Sequence, residues 1–97
     1  MTAVFFHPEA DAELIAAAVY YEGQQKELGK RFLSSVEDSL SRRRINPRLY
    51  PVIDGDVRRC LTRTFPFGVL FRDRAARIEI IAVMHLRREP GYWKERV

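Results

Sequence analysis

Apolar residues follow two periods along this chain, and the change between them divides it. Ala3, Val4, Phe5 and Phe6 form a short β-branched and aromatic run closed by His7-Pro8. It reads as a strand entering a helix, because proline suits a first helical turn whose N–H has no partner. Ala10, Leu14, Ala17, Ala18 and Tyr21 then recur at helical spacing, with Glu9, Asp11 and Glu13 at the end where the helix dipole favours anions. The spacing predicts a helix from Pro8 to about Gln25. His7, at the junction, reads as structural rather than as a catalytic base. Residues 23–29 break the pattern, after which Leu28, Phe32, Leu33, Val36 and Leu40 mark the apolar face of a second helix. Arg42, Arg43 and Arg44 occupy its last turn, where cations complement unpaired carbonyls, and Pro47 closes it. An antiparallel helix pair is expected.

Past residue 46 the period shortens to two. Residues 46–56, rich in proline, glycine and aspartate, read as a loop. Three strands are expected after it, at residues 57–63, 68–72 and 78–85. In the last, Ile78, Ile80, Ala82 and Met84 are assigned to one face and Ile81 and Val83 to the other, which describes a central strand. Residues 64–67 and 73–77 are short enough for antiparallel hairpins, and Pro66, with no N–H to give, belongs in the first of them. Residues 89–97 form a tail with a proline-glycine turn. The predicted architecture is α+β, in the order β-α-α-β-β-β, with the helix hairpin packed on one face of an antiparallel sheet. The other face meets solvent or a partner, and collects Arg59 and Arg63 if they share it.

Composition narrows the function. The 97 residues suit one domain spanning 1–97, and 46% hydrophobic with 31% charged residues describes a chain that folds. No apolar run reaches the ~20 residues of a membrane span and no signal peptide opens the chain, so a cytoplasmic location is expected. Cys60 is the single cysteine, expected as a small buried strand residue. No phosphate-binding glycine loop, paired metal-ligand motif or nucleophile elbow is present, so neither a cofactor nor a metal is expected. Charge changes the picture most. Residues 1–41 carry seven acidic and three basic side chains, whereas residues 42–97 carry six acidic and fourteen basic, thirteen of them arginine. Arginine makes forked contacts with phosphate and carboxylate, so a polyanion or an acidic protein partner is expected.

Several segments together resemble the RelE/ParE superfamily of toxins from bacterial type II toxin-antitoxin systems. They are Phe6-His-Pro-Glu-Ala10 with Glu13-Leu14, Tyr20-Tyr21, Leu28-Gly29 with Phe32-Leu33, Val57-Arg58-Arg59, Phe65-Pro66-Phe67, and Ile80-Ile-Ala-Val-Met-His85 with Arg88, Pro90, Tyr92 and Trp93. The resemblance implies a small growth-inhibiting toxin of a plasmid stabilisation or addiction module. It also implies a cognate antitoxin whose C-terminal segment wraps over the toxin in a hetero-oligomer, with a groove beside the helix hairpin to receive it.

The superfamily divides by target. RelE-like members cleave messenger RNA in the ribosome, and ParE-like members inhibit DNA gyrase. Metal-free RNA cleavage needs a group to activate the 2′-hydroxyl, one to stabilise the phosphate and one to protonate the leaving oxygen. Candidates are Arg59 and Arg63 for the phosphate, Arg87 as a second phosphate contact or acid, and His85 or Tyr92 for proton transfer. No lysine lies between Lys30 and Lys94, and arginine in a protein does not give up its proton. The proton acceptor would therefore be His85, Glu79 or Tyr92, and His85 reads as structural or partner-contacting before catalytic. Tyr92 and Trp93 either stack on a target or pin the tail over the open sheet face. The leading expectation is a ParE-like gyrase inhibitor whose target-binding residues are Arg58, Arg59, Arg63, His85, Arg87, Arg88, Tyr92 and Trp93. Its rivals are a metal-independent endoribonuclease and a non-toxic basic nucleic-acid-binding domain.

Overall fold

The computed structural model describes residues 3–45, 48, 50–74 and 76–97, without the side chains of residues 43–45. The elements run β1 (Ala3–Phe6), α1 (Pro8–Gln24), α2 (Leu28–Ile45), β2 (Val52–Asp54), β3 (Val57–Leu61), β4 (Phe67–Asp73) and β5 (Arg77–His85), then a 3-10 turn at Lys94–Arg96. His7 caps α1, its Nδ1 accepting from the Glu9 N–H at 3.1 Å, which is the structural role expected of it. Glu22 closes the helix hairpin by accepting from the N–H groups of Glu27 and Gly29, both at 3.0 Å. Gly29 is required there, because a Cβ would stand 2.6 Å from the Ala18 carbonyl oxygen.

One sheet of five strands, ordered β1-β5-β4-β3-β2, carries the hairpin on one face. Two features depart from expectation. The stretch read as a loop contains β2, which pairs antiparallel with β3 through Val52 and Arg58 and forms an edge. The sheet is also not wholly antiparallel, because β1 pairs in parallel with β5 from Ala3–Arg77 to Phe6–Ile80. Direction explains the second. The hairpin carries the chain from one edge to the other, and three reversals from β2 to β5 return it alongside β1 with the same sense.

The face assignments in β5 need correcting for Ala82, Val83 and Met84. Leu70 opposes Ala82 and Phe71 opposes Ile80, so Ile81 has no opposite and forms a bulge. From there the alternation shifts by one. Ile78, Ile80 and Val83 pack under the helices with Val69, Phe71, Cys60 and Phe32. Ile81, Ala82 and Met84 pack on the opposite face with Val57, Leu70 and Trp93. That opposite face, expected to meet solvent or a partner, is thus covered in part by the tail. Under the helices, Phe32 meets Tyr21, Phe65 and Phe67 with ring centroids 5.3, 5.3 and 4.9 Å apart, a tilted or edge-on cluster that fixes the hairpin on the sheet.

The strand expected at residues 57–63 stops at Leu61. Thr62 Oγ1 donates to the carbonyls of Phe65 and Phe67 at 2.9 and 3.2 Å, and Thr64 has φ 74, so the chain turns there. Arg42 ties α2 to β3, donating to Asp38 and to the carbonyl of Leu61 at 3.0 and 3.2 Å. The side chains of Arg43 and Arg44, and Asn46 and Pro47 entirely, lie outside the described residues.

Candidate functional site

The tail is held by a network that crosses the domain. Glu13 Oε1 accepts from the Val83 N–H and from Arg96 Nη1 at 3.0 and 2.9 Å, while Oε2 accepts from Tyr92 Oη at 2.6 Å and Arg96 Nη2 at 3.1 Å. Arg96 Nη1 also donates to the carbonyl of Ile81 at 3.1 Å. These bonds have a topological cause. β1 ends opposite Ile80, so the edge of β5 beyond it would leave the Ile81 carbonyl and the Val83 N–H without a strand partner. A carboxylate from α1 and a guanidinium from the tail supply the missing partners, and the bulge brings both groups to that edge.

Tyr92 is thereby committed. Burial first, then the Glu13 carboxylate, push its phenol well above the ordinary tyrosine range, with Arg96 and Arg88 acting the other way. The guanidinium groups of Arg88 and Arg96 lie over its ring, 4.1 and 5.0 Å from the centroid. Trp93, only 3% exposed, packs on the sheet and belongs to the core. Of the two roles open to this pair, pinning the tail is the one these contacts describe.

On the tail-covered face, Arg59, Arg88 and Lys94 line a groove of about 530 Å³ floored by Met84 and Trp93. Lys94 reaches Asp54 of β2 across it at 3.3 Å, so the extra strand forms one wall. The stem of Arg59 lies over Gly68, where a Cβ would come within 3.1 Å of its Cγ and Cδ. Its Nε is enclosed and bonded to no described residue, and its side chain lines the groove.

The other candidates stand elsewhere. Arg58 opposes Phe71 on the helix-side face and donates to the Tyr50 carbonyl at 2.7 Å. Arg63 lies past the end of β3, its carbonyl accepting from Ser35 Oγ at 2.7 Å and its side chain facing a groove beside α2. Arg59 and Arg63 therefore do not share a face. His85 is half-buried, its ring edge-on to Phe67 at 5.1 Å and its Nδ1 accepting from the Arg87 N–H at 3.0 Å. The Arg87 side chain is exposed. Glu79 is bound by Arg72 and Arg77 at 2.9 and 2.8 Å. Cys60 is buried as expected. The described residues contain no cluster of three or more histidine, cysteine or acidic side chains able to hold a metal, and no helix among them is long and apolar enough to cross a membrane.

Sequence reasoning did not single out Glu13 and Arg96 as site residues. A signal for Glu13 was available, since it stands three residues after buried Ala10 and four before half-buried Ala17, on the inward face of α1.

A solved chain of the chromosomal ParDE TA system from P. aeruginosa matches with a TM-score of 0.64 and 19% identity, covering 90% of this chain and 98% of that one. At that identity the likeness is one of fold. No curated protein matches the chain in sequence. The sequence model for the ParE toxin of the type II toxin-antitoxin system parDE matches residues 4–90, which takes in all but the first residue of β1, every later element through β5 and the start of the tail. By that match the chain belongs to the ParE toxin family of type II toxin-antitoxin systems.

Proposed function

We propose that this toxin arrests growth by binding DNA gyrase, as an inhibitor with no catalytic step, and that a cognate antitoxin neutralises it. The observation that carries the inhibitor reading is the dispersal of the groups an RNA-cleaving site would need. Arg59 lies on the tail-covered face, His85 packs against Phe67 on the helix side, and Arg63 faces α2. The Tyr92 hydroxyl is engaged by Glu13. General acid-base catalysis needs donor and acceptor within hydrogen-bond reach of one phosphate, and these groups face different directions. What remains together is a cationic groove of Arg59, Arg88 and Lys94, suited to holding an acidic surface by charge-assisted hydrogen bonds.

The antitoxin reading rests on a second groove, of about 740 Å³, beside the helix hairpin. Val4, Phe6, Leu14, Leu33 and Leu40 give it an apolar lining, with Glu37 and Asp38 also along it. Such a groove suits an amphipathic segment whose apolar side chains enter it.

The test is induction of the chain in bacteria alongside a supercoiling assay with purified gyrase. Loss of supercoiling, with DNA breaks in the cell and intact messages, is the expected result. Ribosome-dependent message cleavage that His85→Ala or Tyr92→Phe abolishes would replace the inhibitor with a nuclease. Co-expression with a cognate antitoxin should restore growth, and Leu33→Asp should reduce that rescue without reducing toxicity.

A further inference from the structure

The outer face of α1 is apolar where a surface helix should be polar. From Leu14 to Tyr21 the helix has no charged residue, and Ala12, Ile15, Ala16, Val19 and Tyr20 are all exposed. Ile15, Val19 and Tyr20 are 55%, 67% and 62% exposed. Their spacing of three and four places them on one stripe spanning about two turns. The helix already packs on β5 and α2 through Ala10, Leu14, Ala17, Ala18 and Tyr21. The stripe therefore plays no part in the core. It is also separate from the hairpin groove, which α1 enters only through Leu14.

Charge selects the occupant. Glu9 and Asp11 precede the stripe, Glu22 follows it, and α1 carries no lysine or arginine. A second copy pairing in parallel would set each of these carboxylates against itself. An antiparallel copy centred on Ala16 would set Glu22 against residues 9–11. Arg96 of the tail pairs with Glu9 at 2.8 Å, which leaves Asp11 and Glu22 as the like charges that oppose in both arrangements, with no cation on the helix to relieve them. An anionic membrane surface is disfavoured for the same reason, since helices that lie on such surfaces carry lysine and arginine.

We propose that this face docks a helix of another protein, one with an apolar stripe and Lys or Arg near both ends. Ala12 and Ala16 allow close approach, while Ile15, Val19 and Tyr20 supply the area removed from water. Asp11 at one end and Glu22 at the other meet the partner's cations, while Glu9 is held within the fold by Arg96 at 2.8 Å. The proposal goes beyond the antitoxin and gyrase readings and does not rest on either.

The probe is a synthetic Leu/Ala amphipathic helix with Lys at both ends, and its control is the same helix with Glu there, each titrated by fluorescence anisotropy against the full chain. The Lys-ended helix should bind about tenfold tighter than the Glu-ended one, a difference that shrinks with salt. Ile15→Asn with Val19→Asn should weaken it by about tenfold or more, whereas Leu33→Asn, in the hairpin groove, should not. Asp11→Lys, with the stripe intact, should weaken the Lys-ended helix and favour the Glu-ended one. Absence of binding to the folded chain, equal binding of both helices, or loss through Leu33→Asn alone would each overturn the proposal. So would a homodimer in light scattering that Val19→Asn dissolves, since it would give the face to a second copy.

Discussion

Four donors converge on the carboxylate of Glu13, from Val83, Tyr92 and both terminal nitrogens of Arg96. Of these partners, Tyr92 is the one whose titration can be followed. Its raised pKa means that an unfolded chain would release the phenol proton near the ordinary value of about 10 while the folded chain still holds it. Between those two values the unfolded state binds fewer protons, so stability is present below pH 10 and falls as pH rises above it. Urea midpoints followed by the fluorescence of Trp93, the single tryptophan, should therefore drop in that window, and Tyr92→Phe should flatten the drop. Glu79 gives the opposite slope. The hydrogen bond from Arg72 lowers its pKa, burial opposes this, and the charges of Arg72 and Arg77 reinforce it. Its contribution is present above the unfolded value of about 4.3 and lost as pH falls through the lower folded value. Glu79→Gln should cost about 1 kcal/mol at neutral pH and reduce the acid-side loss in the same titration. The ionisable nature of these residues was plain in the sequence. Which of them share one site was not, because Glu13 and Arg96 are separated by eighty-three positions and meet only across the sheet edge.

In β5 a single residue decides which side chains face which core. Alternation along residues 78–85 assigned Ala82 and Met84 to the face of Ile78, and the Ile81 bulge transfers them to the other. A bulge leaves no mark on a run in which every residue is apolar, since either phase buries the same kinds of side chain. Deleting Ile81 tests its role. The deletion should either turn Val83 and Met84 to the wrong faces or pull the tail out of register with Glu13. The expected outcome is a loss of more than about 3 kcal/mol of stability, or no folded chain at all, read by circular dichroism and urea unfolding. Deletion of Ala76 in the β4–β5 turn, where the chain is exposed, should cost much less. The helices were more legible. Their apolar faces are bounded by polar residues, the cap at His7-Pro8 and the break at residues 23–29 mark their ends, and Pro8–Gln24 and Leu28–Ile45 fall close to where spacing put them. β2 was missed because three exposed residues between proline and glycine are a strand only through pairing with β3.

Across the domain as a whole, the separation of charge along the chain becomes a separation in space. α1 and its acidic residues lie over one sheet face and edge, while Arg59, Arg88 and Lys94 gather on the other face. If that groove holds the target, Arg59→Ala with Arg88→Ala should weaken gyrase inhibition by about tenfold or more, at a thermal midpoint within a few degrees of the parent. Arg63→Ala should change it little, because its side chain faces α2. An equal loss from Arg63→Ala would move the contact to the helix side.

Periodicity, capping residues and turn chemistry act between near neighbours, and they were enough to read two helices, four of the five strands and an α+β domain from the chain alone. Family membership was legible too, because it resides in the order of short motifs. The tertiary structure alone decided the parallel β1–β5 pair, the phase of β5, the covering of the second face by Trp93 and the convergence of Tyr92 and Arg96 on Glu13. Each of these depends on where strand pairing stops. A backbone N–H and a carbonyl left open at a sheet edge recruit whatever polar side chains the fold brings within reach, and no local pattern in a sequence records that vacancy.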